Sequence, residues 1–250
     1  MPEERYAYDG YEARDLAQEL DLPRIELLES VPSTMDIAHE IAGASAPAGT
    51  LVLADEQTAG RGRSGSPWVS HRGAGIWMTM IERPAIGTGV PVLSLRLGIR
   101  CARALDLFAD EPIRLKWPND LYVGPDKLGG ILVEARWRQD RLDWVAVGVG
   151  INVTTPSGVK GAAGLDAGTR RIDVLRELIP CVRGAAASAG DLTLRELSEF
   201  DSRDLALGRK CIEPARGTVS GISASGELLV ALADSIAKFR SGSLILEQPS

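Results

Sequence analysis

Thr50-Leu51-Val52-Leu53-Ala54-Asp55-Glu56-Gln57-Thr58-Ala59-Gly60-Arg61-Gly62-Arg63-Ser64-Gly65-Ser66-Pro67-Trp68 runs from a buried apolar burst straight into a glycine loop with two arginines. Glycines let a chain pass closely around a polyanion with bare backbone N–H groups. The arginines add forked donors suited to phosphate or carboxylate oxygens. The element after the loop decides the fold class. Gly60 to Gly65 match G-x-G-x-x-G, but a dinucleotide-binding loop must open a helix whose N-terminus holds the pyrophosphate. Here Gly73 and Gly75 come next, and Ile76-Trp77-Met78-Thr79-Met80-Ile81 reads as another strand. Strand-loop-strand also suits a kinase phosphate lid, yet neither His-Arg-Asp nor Asp-Phe-Gly stands downstream. Taken alone, the loop can also be read as an RG-rich solvent turn. An RNA-binding turn would want a basic, aromatic-rich surround, whereas net charge is −6 and aromatic content 5%.

Outward from the loop the pattern is mixed. Leu16 and Leu20 place a short helix within residues 9 to 20, and Ser33 with Asp36 reads as a capping box opening a helix to about Ala42. Leu93, Leu97, Cys101, Leu105 and Phe108 recur at helical intervals and predict a core-facing helix. Residues 113–116, 121–123, 130–137 and 144–153 read as strands, the last two joined as a hairpin through Arg138 to Arg141. Residues 171–188 and 191–205 are helical by composition. Past Leu207, apolar bursts around 210, 218, 229, 236 and 245 alternate with Gly- and Ser-rich turns, the texture of a small all-β barrel. The reading is an α+β chain divided as 1–27 (a lead with a short helix), 28–206 (the main domain) and 207–250 (the barrel).

Composition narrows the function classes. A chain of 250 residues holds one large domain or one with a small appendage. Hydrophobic content of 44% and charged content of 25% are those of a soluble globular protein. The acidic balance gives no field for gathering nucleic acid or anionic membrane. The first residues lack a basic-then-apolar secretory signal, and no apolar run approaches the roughly 18 residues of a membrane span. Three cysteines, odd in number and far apart in sequence, fit reduced thiols in the cytoplasm. Two histidines and no Cys-x-x-Cys argue against a protein-ligated zinc.

Two further stretches carry chemistry. In Lys116-Trp117-Pro118-Asn119-Asp120, Pro118 predicts a turn that exposes Asn119 and Asp120 between two strands. An ordinary hairpin turn has the same composition. Asn offers donor and acceptor, and Asp suits a magnesium ion or an attacking amine. Lys127, just before Gly129-Gly130, is harder to explain as a turn. Glycines beside a lysine at a strand start let a ligand approach while an ammonium neutralises its charge. Gly148-Val149-Gly150-Ile151-Asn152 repeats the device on the next strand.

Read in order, Ser33-Thr34, Gln57 with Gly60-Arg61-Gly62-Arg63, Lys116 to Asp120, Lys127-Leu128-Gly129-Gly130-Ile131-Leu132 and Gly148 to Asn152 resemble the motif series of the biotin protein ligases. The resemblance spans about residues 30 to 153 by motif, and the tail matches that family's SH3-like domain by texture. It implies a mixed sheet with helices packed on one face, of the class II synthetase-like kind, plus the barrel. The implied reaction takes biotin and MgATP to biotinyl-5′-AMP and pyrophosphate, then moves biotin to a lysine of a biotin carboxyl carrier protein domain. Ser33, Thr34 and Gln57 would meet the biotin head group, with Met35, Gly60, Arg61, Gly62, Arg63, Lys127, Gly130 and Gly148 around biotin. For ATP the resemblance implies Arg61, Arg63, Trp68 near the adenine, Lys116, Asn119, Lys127, and Asn152 near phosphate and metal. Lys127, Arg63 and Asp120 would carry catalysis, and Mg2+ would ride on the phosphates without a protein-only site. Met35 stands where an Asn is common, and Ser64 and Ser66 where further arginines are common. The segment before Ser33 is too short for the winged helix of members that also repress transcription, so a monofunctional ligase without DNA contacts is expected. Monomer and homodimer both fit. The nearest rival is a lipoate or octanoate protein ligase, whose apolar substrate would not need polar residues at 33, 34 and 57. A rival of another class is a non-catalytic nucleotide- or RNA-binding module, which leaves Asp120 and Lys127 unexplained.

Overall fold

The apolar bursts fold into two sheets in the computed structural model, which describes residues 6–247. The larger sheet has seven strands: β1 (Arg24–Val31), β2 (Thr50–Gln57), β3 (Gly75–Glu82), β4 (Arg114–Lys116), β5 (Asp120–Val123), β6 (Asp126–Arg138) and β7 (Arg141–Asn152). Their spatial order is β1-β2-β3-β7-β6-β5-β4. β1 and β2 are parallel and the other neighbours antiparallel. A parallel pair needs a crossover, and α2 (Thr34–Gly43) provides it. The remaining helices are α1 (Ala13–Glu19), α3 (Leu93–Leu105), α4 (Arg171–Ala186) and α5 (Leu194–Arg203).

Alternation along the central strands assigns the two faces. β3 sends Ile76, Met78 and Met80 into a core shared with Leu97 and Cys101 of α3, Leu175 and Leu178 of α4, Leu16 of α1 and Phe200 of α5. β7 adds Val145, Val147, Val149 and Ile151 to that core. The expected helical layer on one face is therefore α1, α3, α4 and α5. α2 alone lies across the other face, where Met35, Ala38 and Ala42 pack on Val52, Ile81, Trp144 and Ala146. Its small alanines let the helix sit close to the sheet.

Two local features differ from the sequence expectation. β1 is a strand that the sequence reading does not foresee. Arg24, Glu26 and Glu29 interrupt its apolar residues, as an edge strand facing water allows. The capping box at Ser33 does not form either, because no side-chain bond caps α2. The Thr34 N–H goes instead to Gln57 Oε1 at 2.9 Å, and the Asp36 carboxylate turns to Arg61. A capping box forms at α5, between Thr193 and Glu196.

The lead is anchored to the main core. Tyr8 is fully buried beneath the Arg171 guanidinium, 4.0 Å from its ring centroid, and Arg171 also binds Asp9 and Asp55. Cys101 of α3 and Cys181 of α4 are both free thiols, and the interaction with Cys181, together with burial, raises the Cys101 pKa.

Each late apolar burst becomes a strand: β8 (Lys210–Glu213), β9 (Gly217–Ile222), β10 (Leu228–Ala231), β11 (Ile236–Phe239) and β12 (Ile245–Leu246). They form an antiparallel sheet in the order β11-β10-β9-β8-β12, as an SH3-like barrel requires. α5 ends at Arg203 and β8 begins at Lys210, on either side of Leu207. The barrel is seated on the main sheet through Trp117 Nε1, which donates to the Gly226 carbonyl at 3.0 Å. No helix among the described residues is long and apolar enough to cross a membrane.

Candidate active site

On the α2 side of the sheet, opposite the packed core, lies a cavity of about 380 Å³. Glycines open it. At Gly148 a Cβ would stand 2.9 Å from the Met35 methyl, and at Gly150 it would stand 2.7 Å from Trp68 Nε1. Side chains at these two β7 positions would fill the space that the cavity occupies.

One wall is polar and buried. Gln57 Oε1 accepts from the Thr34 N–H at 2.9 Å and from Thr34 Oγ1 at 3.1 Å. Gln57 Nε2 donates to Ser70 Oγ at 2.9 Å, and Thr34 Oγ1 lies 2.9 Å from Thr79 Oγ1. Ser33 and Thr34 are almost wholly covered and Thr79 wholly so, yet all three line the cavity. A continuous hydrogen-bonded chain offsets the cost of burying this many hydroxyls.

A charged group occupies another wall. Lys127 Nζ pairs with Asp120 Oδ1 at 2.7 Å and lies 5.3 Å from the Trp68 ring centroid. Asp120 is the only carboxylate lining the cavity among the described residues. Lys116 sits 5.8 Å from the Tyr122 ring centroid, and burial lowers its pKa, with Lys127 and Arg209 adding to the shift and Asp120 opposing it. The wall thus holds more cationic capacity than its carboxylate neutralises, as an anion site does. Asn119 and Asp120 are half-buried rather than exposed. The reason is local: the Asn119 amide donates to the Ile131 carbonyl at 2.8 Å, and the Ile131 N–H returns a bond to Asn119 O at 3.0 Å.

The glycine loop is a hairpin folded over the cavity. The Trp68 N–H donates to Gly60 O at 2.8 Å and the Gly62 N–H to Ser66 O at 2.7 Å. Its tip turns through Ser64 and Gly65, at φ 53° and 74°. Only a three-residue 3-10 turn, Arg63–Gly65, forms there and the next element is β3, so no α-helix follows to hold a pyrophosphate, which removes the Rossmann reading. Its two arginines part company. Arg61 is held by Asp36 of α2 and by Glu134 of β6 at 2.7 Å, and the hydrogen bond to Asp36 raises its pKa. Arg63 has no such partner among the described residues; Nη1 reaches the Gly242 carbonyl at 3.3 Å, and burial lowers its pKa against the pull of Asp120.

Most residues singled out from the sequence line this one cavity: Ser33, Thr34, Met35, Gln57, Arg61, Gly62, Arg63, Trp68, Lys116, Asn119, Asp120, Lys127, Gly130 and Gly148. Two do not. Gly60 lies beneath the loop, where a Cβ would stand 2.6 Å from the Trp68 carbonyl. Asn152 is buried behind β6, and its amide donates to the Ala163 carbonyl at 3.0 Å, holding the chain after β7. Sequence reasoning missed Thr79, Ser70 and the barrel segment Gly242 to Ile245. Thr79 sits at an ordinary strand position with no motif around it. The barrel segment lines the cavity as well, and only folding brings it there. Among the described residues no cluster of three or more His, Cys, Asp or Glu side chains could hold a metal ion.

Comparison with known proteins places this geometry. Residues 27–152 match the biotin/lipoate A/B protein ligase family. The bifunctional ligase/repressor BirA of Bacillus spizizenii is 43% identical over 128 residues, which are 51% of this chain and 39% of that protein. A biotin–[acetyl-CoA-carboxylase] ligase from Paracoccus denitrificans is 40% identical over 107 residues, 41% of this chain and 43% of that protein. The chain thus spans less than half the length of these curated relatives. Among solved structures, the biotin protein ligase from Aquifex aeolicus in complex with biotin and ATP is similar with a TM-score of 0.71 and 26% identity. That match covers 91% of this chain and 100% of that one.

Proposed function

The chain belongs to the biotin/lipoate A/B protein ligase family, and on that premise we propose that it activates biotin with MgATP and transfers it to a lysine of a biotin carboxyl carrier protein. The observation that carries this reading is the pairing within one cavity of a buried hydroxyl–amide chain with a cationic wall. A cyclic urea needs closely spaced polar partners, and Thr34, Gln57 and Ser33 offer them. A dithiolane or a plain acyl chain has no N–H or carbonyl on its ring or tail with which to use that wall. Biotin is therefore favoured over lipoate or octanoate.

In the first step a biotin carboxylate oxygen attacks the α-phosphorus and the bond to the β-phosphate bridging oxygen breaks, releasing pyrophosphate. Charge builds on the α-phosphate oxygens, and Lys127, which pairs with Asp120 in the cavity wall, would be the donor that stabilises it. Arg63 and Lys116 carry positive charge whose burial favours an anionic partner. Magnesium enters as part of MgATP, on the phosphates. The loop would shield the mixed anhydride from water. In the second step the carrier lysine nitrogen attacks the acyl carbon, AMP leaves and one proton is released. Asp120, the carboxylate that lines the cavity among the described residues, would orient that amine and receive the proton. Such a reaction belongs in the cytoplasm, where ATP and newly made carrier meet.

Mass spectrometry of a carrier domain incubated with the protein, biotin and MgATP tests the reading. One biotin added to one lysine is expected. An unmodified carrier, or one modified equally well by lipoate, contradicts it.

A further inference from the structure

We propose that Glu134 and His39, which lie outside the cavity, are positioning residues for the glycine loop: through Arg61 they latch it over the cavity and so set how long the adenylate intermediate is held. The retention half of this statement rests on the proposed biotin ligase function, whereas the latch rests on side chains alone. Beyond the cavity the same face of the sheet continues into Glu134 of β6 and Trp144 of β7, each four residues along its strand from Gly130 or Gly148. Glu134 faces a recess shared with Asp36, His39, Arg61 and Arg136. Asp36 and His39 reach it from one side of α2, three residues apart.

The direction of the hydrogen bonds is fixed from the buried end. An indole N–H can only donate, so Trp144 Nε1, 3.0 Å from His39 Nδ1, makes that nitrogen the acceptor. The ring proton is therefore on Nε2, which donates to Glu134 Oε2 at 2.9 Å. The other oxygen, Glu134 Oε1, accepts from Arg61 Nη1 at 2.7 Å, and Arg61 Nη2 reaches Asp36. The foundation is itself held. Trp144 is nearly buried, with the Arg83 and Arg136 guanidiniums 5.6 and 5.9 Å from its ring centroid, and Arg83 donates to the Ala42 carbonyl of α2 at 2.8 Å. At the far end Arg61 pairs across the loop hairpin with Pro67, so fixing Arg61 restrains both arms. An isolated surface ion pair contributes little, but a carboxylate already oriented by a second bond loses less freedom on pairing. The Glu134 side chain is 33% exposed and that of Asp36 58%, so Glu134 is the stronger half of the latch.

Two measurements on the full chain test the proposal. Tryptic nicking after Arg63 without ligand, read by mass spectrometry, follows loop opening, and release of biotinyl-AMP after a single turnover follows retention. Glu134→Gln should raise both rates by about tenfold, and Asp36→Asn by less. Adenylation at saturating biotin and ATP should stay within about threefold of wild type. His39→Ala should follow Glu134→Gln, whereas His39→Gln, which can still donate to Glu134, should stay closer to wild type. In an Arg61→Ala background Glu134→Gln should add nothing, because its partner is already gone. Additive effects, nicking of Glu134→Gln at the wild-type rate, or faster nicking throughout the chain rather than in the loop overturn the latch. Faster loop nicking with unchanged release overturns its role in retention. A wild-type protein that forms no biotinyl-AMP overturns the proposed function, and loop nicking then decides the latch by itself.

Discussion

The two faces of the central sheet are built from the same strands and ask opposite things of them. Toward α3 and α4, β3 and β7 present Ile76, Met78, Met80, Val145, Val147, Val149 and Ile151, all buried and apolar. One residue along, the same strands present Trp77, Thr79, Gly148 and Gly150, with a cavity where the packing stops. Branched and long apolar side chains fill space and stabilise. Glycines and a hydroxyl leave space and direct hydrogen bonds. The period of two in a β-strand lets one segment serve both ends, provided that its register never slips.

Substitutions on the two faces should therefore fail differently. On the cavity face, Lys127→Ala should retain the fold and lower the adenylation rate by roughly two to three orders of magnitude. Single-turnover formation of biotinyl-AMP measures it, and a loss below about tenfold would make Lys127 peripheral. On the helix face, Met80→Ala, one residue from Thr79, should reduce unfolding free energy by about 2–5 kcal/mol while leaving the biotin KM unchanged. Urea unfolding paired with kinetics reads both quantities. A shifted KM with unchanged stability would break the division of the sheet into two faces.

Arg63→Ala sharpens the comparison at the loop. Because Arg63 has no ion-pair partner among the described residues while Arg61 has two, its loss should spare stability and impair retention of the intermediate. Biotinylation of bystander proteins should rise, with adenylate found free in solution. Retention equal to wild type would show the loop to be a surface turn.

The smallest effect concerns the seam between the sheets. There Asp204 is buried with Oδ2 unpartnered, while Oδ1 accepts from the Ala206 N–H at 2.8 Å. Burial pushes its carboxyl up to about 6, with Asp201 adding to the shift and Arg114 opposing it. The folded value lies above the unfolded one of about 3.9, so this group's contribution is complete below pH ~4 and lost as pH rises through ~6. The loss amounts to up to about 3 kcal/mol. Asp204→Asn should remove that dependence, so its stability relative to wild type should be higher at pH 7.5 than at pH 4. An unchanged difference between the two pH values would show that Asp204 does not titrate there.

The helix face was the more legible of the two in the sequence. Leu93, Leu97, Cys101 and Leu105 at helical spacing, and each apolar burst past residue 207, became the elements they announce. β1 escaped because an edge strand tolerates charges that hide its alternation. On the cavity face, residues within motifs were visible because several constrained types stand close together. Thr79 and the Gly242 to Ile245 segment were not. A lone threonine in a strand is locally ordinary, and the barrel segment lies far along the chain from the loop that it touches. Asn152 shows the converse. It belongs to a motif, but it holds the Ala163 carbonyl rather than facing the cavity.

The most direct test of the whole account is ATP–pyrophosphate exchange by the wild-type protein, with biotin, lipoate and octanoate supplied separately. The buried hydroxyl–amide wall beside Lys127 predicts exchange that depends on biotin and is not supported by the other two acids. Exchange driven by lipoate or octanoate and indifferent to biotin would contradict it.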